Sequence, residues 1–135
     1  MAEKNKTRPW PVTTLAILLF LFSLLAFFGS LFLWGDGFLL QFPADVDLAF
    51  PITDILVNAT TSMTAAIGLW KMKRYGYIVS QFVAGFYVYA SVEIFVHVAQ
   101  GDLPNTLAII TPQVLAVLVA ISLVFYLWRI QNLFD

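Results

Sequence analysis

No cysteine occurs among the 135 residues, which excludes a disulfide framework, a thiolate metal site and a redox dithiol. Histidine occurs once, so neither a bis-imidazole haem nor a paired-histidine metalloprotease motif can be assembled within one chain. Charge is scarce as well. Asp, Glu, Lys and Arg make up 11% of the chain, whereas roughly a quarter is usual in a soluble domain. No lysine interrupts the long apolar runs, which leaves nothing for a buried Schiff base, and there is no Gly-rich phosphate loop or Ser-His-Asp set. An enzyme is therefore not expected, and no cofactor, metal or nucleic-acid partner is implied.

What the chain has in excess is apolar surface. Hydrophobic residues reach 61% and the mean hydropathy is +0.87, so lipid is the expected solvent. Four apolar runs predict transmembrane helices at about 12–34, 52–70, 77–99 and 112–130, because ~20 helical residues cross a bilayer core of ~30 Å. The expected fold is all-α: a polytopic membrane protein forming one domain over 1–135, its four transmembrane helices in a compact bundle. Trp10, Trp34, Trp70 and Trp128 all fall at predicted span ends, the depth an amphipathic ring prefers. Pro51 and Pro112 mark the starts of the second and fourth spans, where a missing N–H is tolerated. Gly101-Asp102-Leu103-Pro104 ends the third.

The seven cations sit in three places, each between or beyond the apolar runs. Lys4, Lys6 and Arg8 precede the first run, Lys71, Lys73 and Arg74 separate the second from the third, and Arg129 closes the fourth. Positive loops stay on the side of synthesis, so both termini are expected to be cytoplasmic. Asp36, Asp45, Asp47 and Asp102 are left for the outer loops. In the first of these, Phe38, Leu39, Leu40 and Phe42 are expected to lie on the outer membrane surface. The expected location is the plasma membrane of a prokaryote.

Polar residues inside the spans supply the candidate site. The second run carries Asp54, Asn58, Ser62 and Ala66 at four-residue steps, and the third carries Gln81, Gly85, Tyr89, Glu93 and His97. Residues four apart share a helix face. In an antiparallel hairpin, equal depth pairs Ala66 with Gln81, Ser62 with Gly85, Asn58 with Tyr89 and Asp54 with Glu93. Glu93 stands sixteen residues beyond Tyr77, roughly 24 Å along a helix, and so in the outer half of the core. Two carboxylates about 6 Å apart repel by ~3 kcal/mol at an effective dielectric of 20, which invites a proton or a cation between them. Asp54, Asn58, Tyr89, Glu93 and His97 form the candidate ligand or ion site, with Gln113 of the fourth run completing it.

Two functions follow. The incomplete set of reactive groups predicts an accessory or interaction subunit, associating with another membrane protein or with itself in the lipid bilayer. The alternative is a carrier that takes a proton, a cation or a cationic ligand into the acidic pocket between the second and third spans.

Overall fold

In the computed structural model, which describes residues 7–36 and 52–135, every regular element is helical. Helix α1 spans Trp10–Asp36. Helix α2 begins as a π-helical stretch, Asp54–Ala59, and continues as an α-helix over Thr60–Trp70. Helices α3 and α4 span Arg74–Gln100 and Leu107–Arg129, and a 3-10 turn, Gln131–Leu133, follows. Three of the four, α1, α3 and α4, have segments long and apolar enough to cross a membrane, with mean hydropathies of 2.4, 1.6 and 2.5. The expected outer-surface segment, with Phe38, Leu39, Leu40, Phe42, Asp45 and Asp47, lies outside the described residues, as do Lys4 and Lys6.

Chain neighbours pack together: α1 lies along α2, α2 along α3 and α3 along α4, while α1 and α4 touch only lightly. The buried faces explain the order. On α1, Val12, Leu19 and Ala26 recur at seven-residue spacing, as do Ala16, Ser23 and Ser30, and all six are buried. On α3 the same spacing relates Ser80, Tyr87 and Ile94, and relates Ala84 and Ser91. A seven-residue step keeps a residue nearly on one line along a helix, drifting only ~20°. Such a line can face one neighbour over its whole length.

Large side chains fill one half of the bundle. Val12, Leu15, Leu19, Leu69, Leu123, Leu127 and Phe134 belong to one buried cluster, while a smaller one of Ile94, Leu103 and Ile109 lies toward the other end. At the first end several elements are tied together. The Arg8 guanidinium donates to the Trp70 carbonyl at 2.6 Å and lies 3.9 Å over the Trp70 ring. The Arg74 N–H donates to the Asp135 carbonyl at 2.6 Å, the Asp135 N–H donates to the Met72 carbonyl at 3.1 Å, and Phe134 stacks on Tyr77. Arg8, Lys71, Lys73, Arg74 and Arg129, the described lysines and arginines, therefore share one end. Asp54, Glu93, His97 and Asp102 lie toward the opposite one.

The helix ends follow their local chemistry. Gly101, at φ 85°, closes α3 as expected: the Asp102 N–H bonds the His97 carbonyl at 3.0 Å and the Gly101 N–H bonds the Val98 carbonyl at 3.2 Å. The α2–α3 turn repeats that motif with Met72 in the left-handed position at φ 53°. The start of the fourth span needs correction. Extended Thr106 precedes α4, so the helix begins at Leu107 and Pro112 lies inside it rather than at its first position. Lacking an N–H, Pro112 leaves the Ala108 carbonyl without its helical donor.

Beside the α2–α3 turn the backbones of Gly68 and Gly76 touch, so a Cβ on either would run into the other's main chain. Gly68→Ala or Gly76→Ala is expected to lower stability by ~1–3 kcal/mol through overpacking. Gly85→Ala, whose Cβ meets nothing, is expected to be neutral or stabilising by up to ~1 kcal/mol. Thermal unfolding of the purified variants in mild detergent reads the difference; equal melting for all three would refute the close contact.

Candidate binding cavity

Between the large-residue cluster and the opposite end, small side chains leave a cavity of about 270 Å³. All four helices line it: Phe22, Ala26, Gly29 and Ser30 from α1, Asp54 and Asn58 from α2, Tyr87, Ala90 and Ser91 from α3, and Ala108, Pro112, Gln113 and Ala116 from α4. Phe22 packs edge-on against Tyr87, with ring centroids 5.4 Å apart, and forms the floor toward the packed half.

The π-helical stretch positions the acid. Asp54 and Asn58 sit in its wide turns, and its carbonyls find additional donors: the Thr60 hydroxyl bonds the Leu56 carbonyl, the Thr61 hydroxyl bonds that of Val57, and the buried Ser23 of α1 donates to Ala59 O at 2.7 Å. The last bond fixes α2 to α1 beside the cavity. A π segment is rare and frequent at functional sites.

From Asp54 a line of hydrogen bonds runs into the bundle. Ser30 Oγ donates to Asp54 Oδ2 at 3.4 Å, and Asn58 Nδ2 donates to Asp54 Oδ1 at 3.1 Å. Ser62 Oγ donates to Asn58 Oδ1 at 3.1 Å and lies 2.8 Å from the Tyr87 hydroxyl. A hydroxyl has one proton, and Asn58 Oδ1 can only accept, so Ser62 gives its proton to Asn58 and Tyr87 donates to Ser62. The line therefore points one way, from Tyr87 through Ser62 and Asn58 to Asp54. Every donor in it is neutral. Asp54 makes no ion pair among the described residues.

Opposite Asp54, Ser91 Oγ lies 3.3 Å from both the carbonyl oxygen and Oε1 of Gln113. Oε1 is thereby engaged, and the Gln113 amide nitrogen has no partner among the described residues. Gln113 and Asp54 thus present a donor and an acceptor to one space. No three His, Asp or Glu side chains gather to hold a metal ion among the described residues.

The structure brings together Asp54, Asn58 and Gln113, and leaves Tyr89, Glu93 and His97 outside the cavity wall. Tyr89 is 66% exposed. His97 Nδ1 meets Asp102 Oδ2 at 3.1 Å in the loop after α3. The expected pairing of Asn58 with Tyr89 and Asp54 with Glu93 is corrected by the register: Ser62 meets Tyr87 rather than Gly85, and Gln81 Nε2 donates to Leu123 O on α4 at 2.9 Å instead of facing Ala66. The cause is helical drift. A four-residue step overshoots a turn by about 40°, so the line from Gln81 to His97 winds ~160° around α3. It begins beside α4 and passes over the exposed face. Tyr87, Ser91 and Ser30 were missed; their seven-residue spacing with Ser80, Ala84 and Ser23 is the signal that finds them.

Tyr87→Phe is expected to cost ~0.6–1.7 kcal/mol, the range of hydrogen bonds between membrane helices. Combined with Ser62→Ala the loss should be less than additive, because either change breaks the same bond. A double-mutant cycle on unfolding in detergent gives the coupling, and strict additivity would contradict the bond. No known protein family, characterised protein or solved structure matches the chain.

Proposed function

We propose that this is a four-span plasma-membrane protein of prokaryotic type, with both termini cytoplasmic, that binds a cationic ligand at Asp54 from the outer half of the bilayer. The observation that carries the reading is a carboxylate lining a four-helix cavity with neutral hydrogen-bond donors and, among the described residues, no cation beside it. Keeping an acid ionised that deep is costly unless a counter-charge arrives, and among the described residues Asp54 meets Ser30 and Asn58. The three apolar helices support the membrane setting. Helix α2 is the second span in this reading, with Ile52 and Thr53 extending its helical turns. Gathering Arg8, Lys71, Lys73, Arg74 and Arg129 at one end supports the orientation.

Asn58 and Gln113 have distinct roles here. Asn58 holds the Asp54 carboxylate toward the cavity, and Gln113, held by Ser91, forms the polar part of the α4 wall. Asp54→Asn keeps the shape and removes the charge. Binding of a radiolabelled tetraalkylammonium to protein in phosphatidylcholine nanodiscs is expected to fall at least about tenfold in Asp54→Asn, the cost of one lost charge contact. Glu93→Gln is expected to bind as the wild type. Equal binding by wild type and Asp54→Asn would overturn the assignment.

A second reading, self-association or assembly with another membrane protein, is favoured by the outer face of α3. Tyr89 stands exposed there and Glu93 half-exposed one turn on, polar groups on a face otherwise formed by Ile78, Phe82, Val88, Val92 and Val96. Facing lipid, an acid is expensive; facing a second copy it is not. Because the chain has no cysteine, Gly85→Cys supplies a single thiol at the centre of that face. Oxidation in native membranes is expected to trap a disulfide-linked dimer, whereas a cysteine at Leu25 of α1 is not. Absence of the dimer at Gly85 would remove self-association through α3.

A further inference from the structure

A second groove, of about 420 Å³, opens between α1 and α4 on the far side of Phe22. Its walls are apolar: Leu15 and Leu18 of α1 face Leu115, Leu118 and Val119 of α4. Phe22 borders both this groove and the Asp54 cavity, so the two spaces meet at one side chain. The groove lies where α1 and α4 touch only lightly, which leaves it open sideways.

Together the two spaces have a polarity order. One end offers a carboxylate with its donors, the other an apolar slot along the same pair of helices. We infer that the ligand is a long-chain amphiphilic amine, whose ammonium head meets Asp54 and whose single hydrocarbon tail passes Phe22 to lie between α1 and α4. This rests on the cation-binding reading above and names its ligand class.

Dimensions agree. Along α1, Ser30 beside Asp54 stands eight residues from Phe22 and twelve from Leu18, about 12 and 18 Å at 1.5 Å per residue. A fatty chain reaches across one leaflet, about half of a ~30 Å core. A head at Asp54 therefore puts the chain end between Phe22 and Leu18, inside the groove. The posture is that of a lipid with its head in the outer leaflet and its chain end just across the midplane, and the light α1–α4 contact gives it lateral access from the bilayer without exposing the tail to water. A small hydrated cation would use the first cavity and leave the groove unexplained.

The test uses two photoreactive probes on the full chain in phosphatidylcholine nanodiscs: an octadecyl-trimethylammonium with a diazirine at the tail end, and a butyl-trimethylammonium with the same group. Labelled positions are mapped by mass spectrometry. The long probe is expected to label Leu18 and Leu118, saturably, and at least about tenfold less in Asp54→Asn, as for loss of one charge contact. Leu118→Trp, which fills the groove, is expected to abolish saturable groove labelling by the long probe while the short probe still labels the Asp54 cavity. If the short probe labels that cavity in an Asp54-dependent way but the long probe never enters the groove, the tail assignment is overturned and cation binding stands. If neither probe depends on Asp54, cation binding fails and the tail assignment with it. Long-probe labelling spread evenly over Phe82 and Val92 of α3, insensitive to both substitutions, marks partition into lipid and also overturns the proposal.

Discussion

A polar group far from water has to find its partner inside the protein, and the Tyr87–Ser62–Asn58–Asp54 line is how this bundle meets that demand. Each neutral member donates a hydrogen bond to the next, so the two inner members, Ser62 and Asn58, both accept and donate, and the direction of the line is set by the acceptor-only oxygen of Asn58. Reversing any one bond would place two acceptors or two donors face to face. The Ser62–Tyr87 bond, the link of the line that crosses from α2 to α3, therefore ties the register of the two helices.

The register propagates in both directions. Toward the basic end it brings Gly68 against Gly76, beside the three-residue turn Lys71-Met72-Lys73 that closes with Met72 in the left-handed region. A residue with a Cβ in that conformation costs about 1–2 kcal/mol. The hydrogen bond that Met72 O accepts from Asp135 helps to hold it. Toward the acidic end the same register lifts Asp54 to Ser30 of α1, and the small residues Ala26, Gly29, Ala90 and Ala116 keep the helices from filling the space with side chains. The cavity is thus a consequence of the packing order, with large residues in one half of the bundle and small ones in the other.

How much of this was legible in the sequence depended on which period was read. Helix positions come from the lengths of the apolar runs, and the ends of α1 and α3 depart from expectation by one to three residues. Gly101 announced the end of α3 because few other residues accept a positive φ. Pro112 misled, since proline is tolerated at a first helical position and also within a helix whose freed carbonyl borders a cavity; the sequence does not separate the two. The site was half visible. Asp54, Asn58 and Gln113 stand out as polar groups in apolar runs, while Tyr89 and Glu93 are grouped with them by a four-residue step that suits a short contact and fails over more than four turns. The heptad relation among Ser80, Tyr87 and Ile94 carried the correct face, but serine and tyrosine do not stand out among apolar residues as carboxylates do. Whether the four runs all cross the bilayer is a different kind of statement, because α2 is interrupted by its π-helical start and is shorter than its neighbours.

That interruption bears on why the acid sits where it does. Thr60 and Thr61 bond back to carbonyls four residues earlier, as Thr64, Ser80 and Ser122 do in regular α-helix, whereas Ser23 brings a donor to the π stretch from another helix. In the wide turns, where Asp54 and Asn58 line the cavity, carbonyls bond the N–H five residues along, and the Ser23 hydroxyl adds a second donor at Ala59. Replacing Ser23 by alanine would remove the sole described tie from α1 to the Ala59 carbonyl, and α2 would be free to regain α-helical bonding by rotating Asp54 relative to Ser30 and Tyr87. Apolar volume near Ala59 barely changes on losing one hydroxyl, so the consequence is one of direction rather than of packing. The carboxylate would remain in the helix and lose its aim, which separates the chemistry of the site from the presence of its acid.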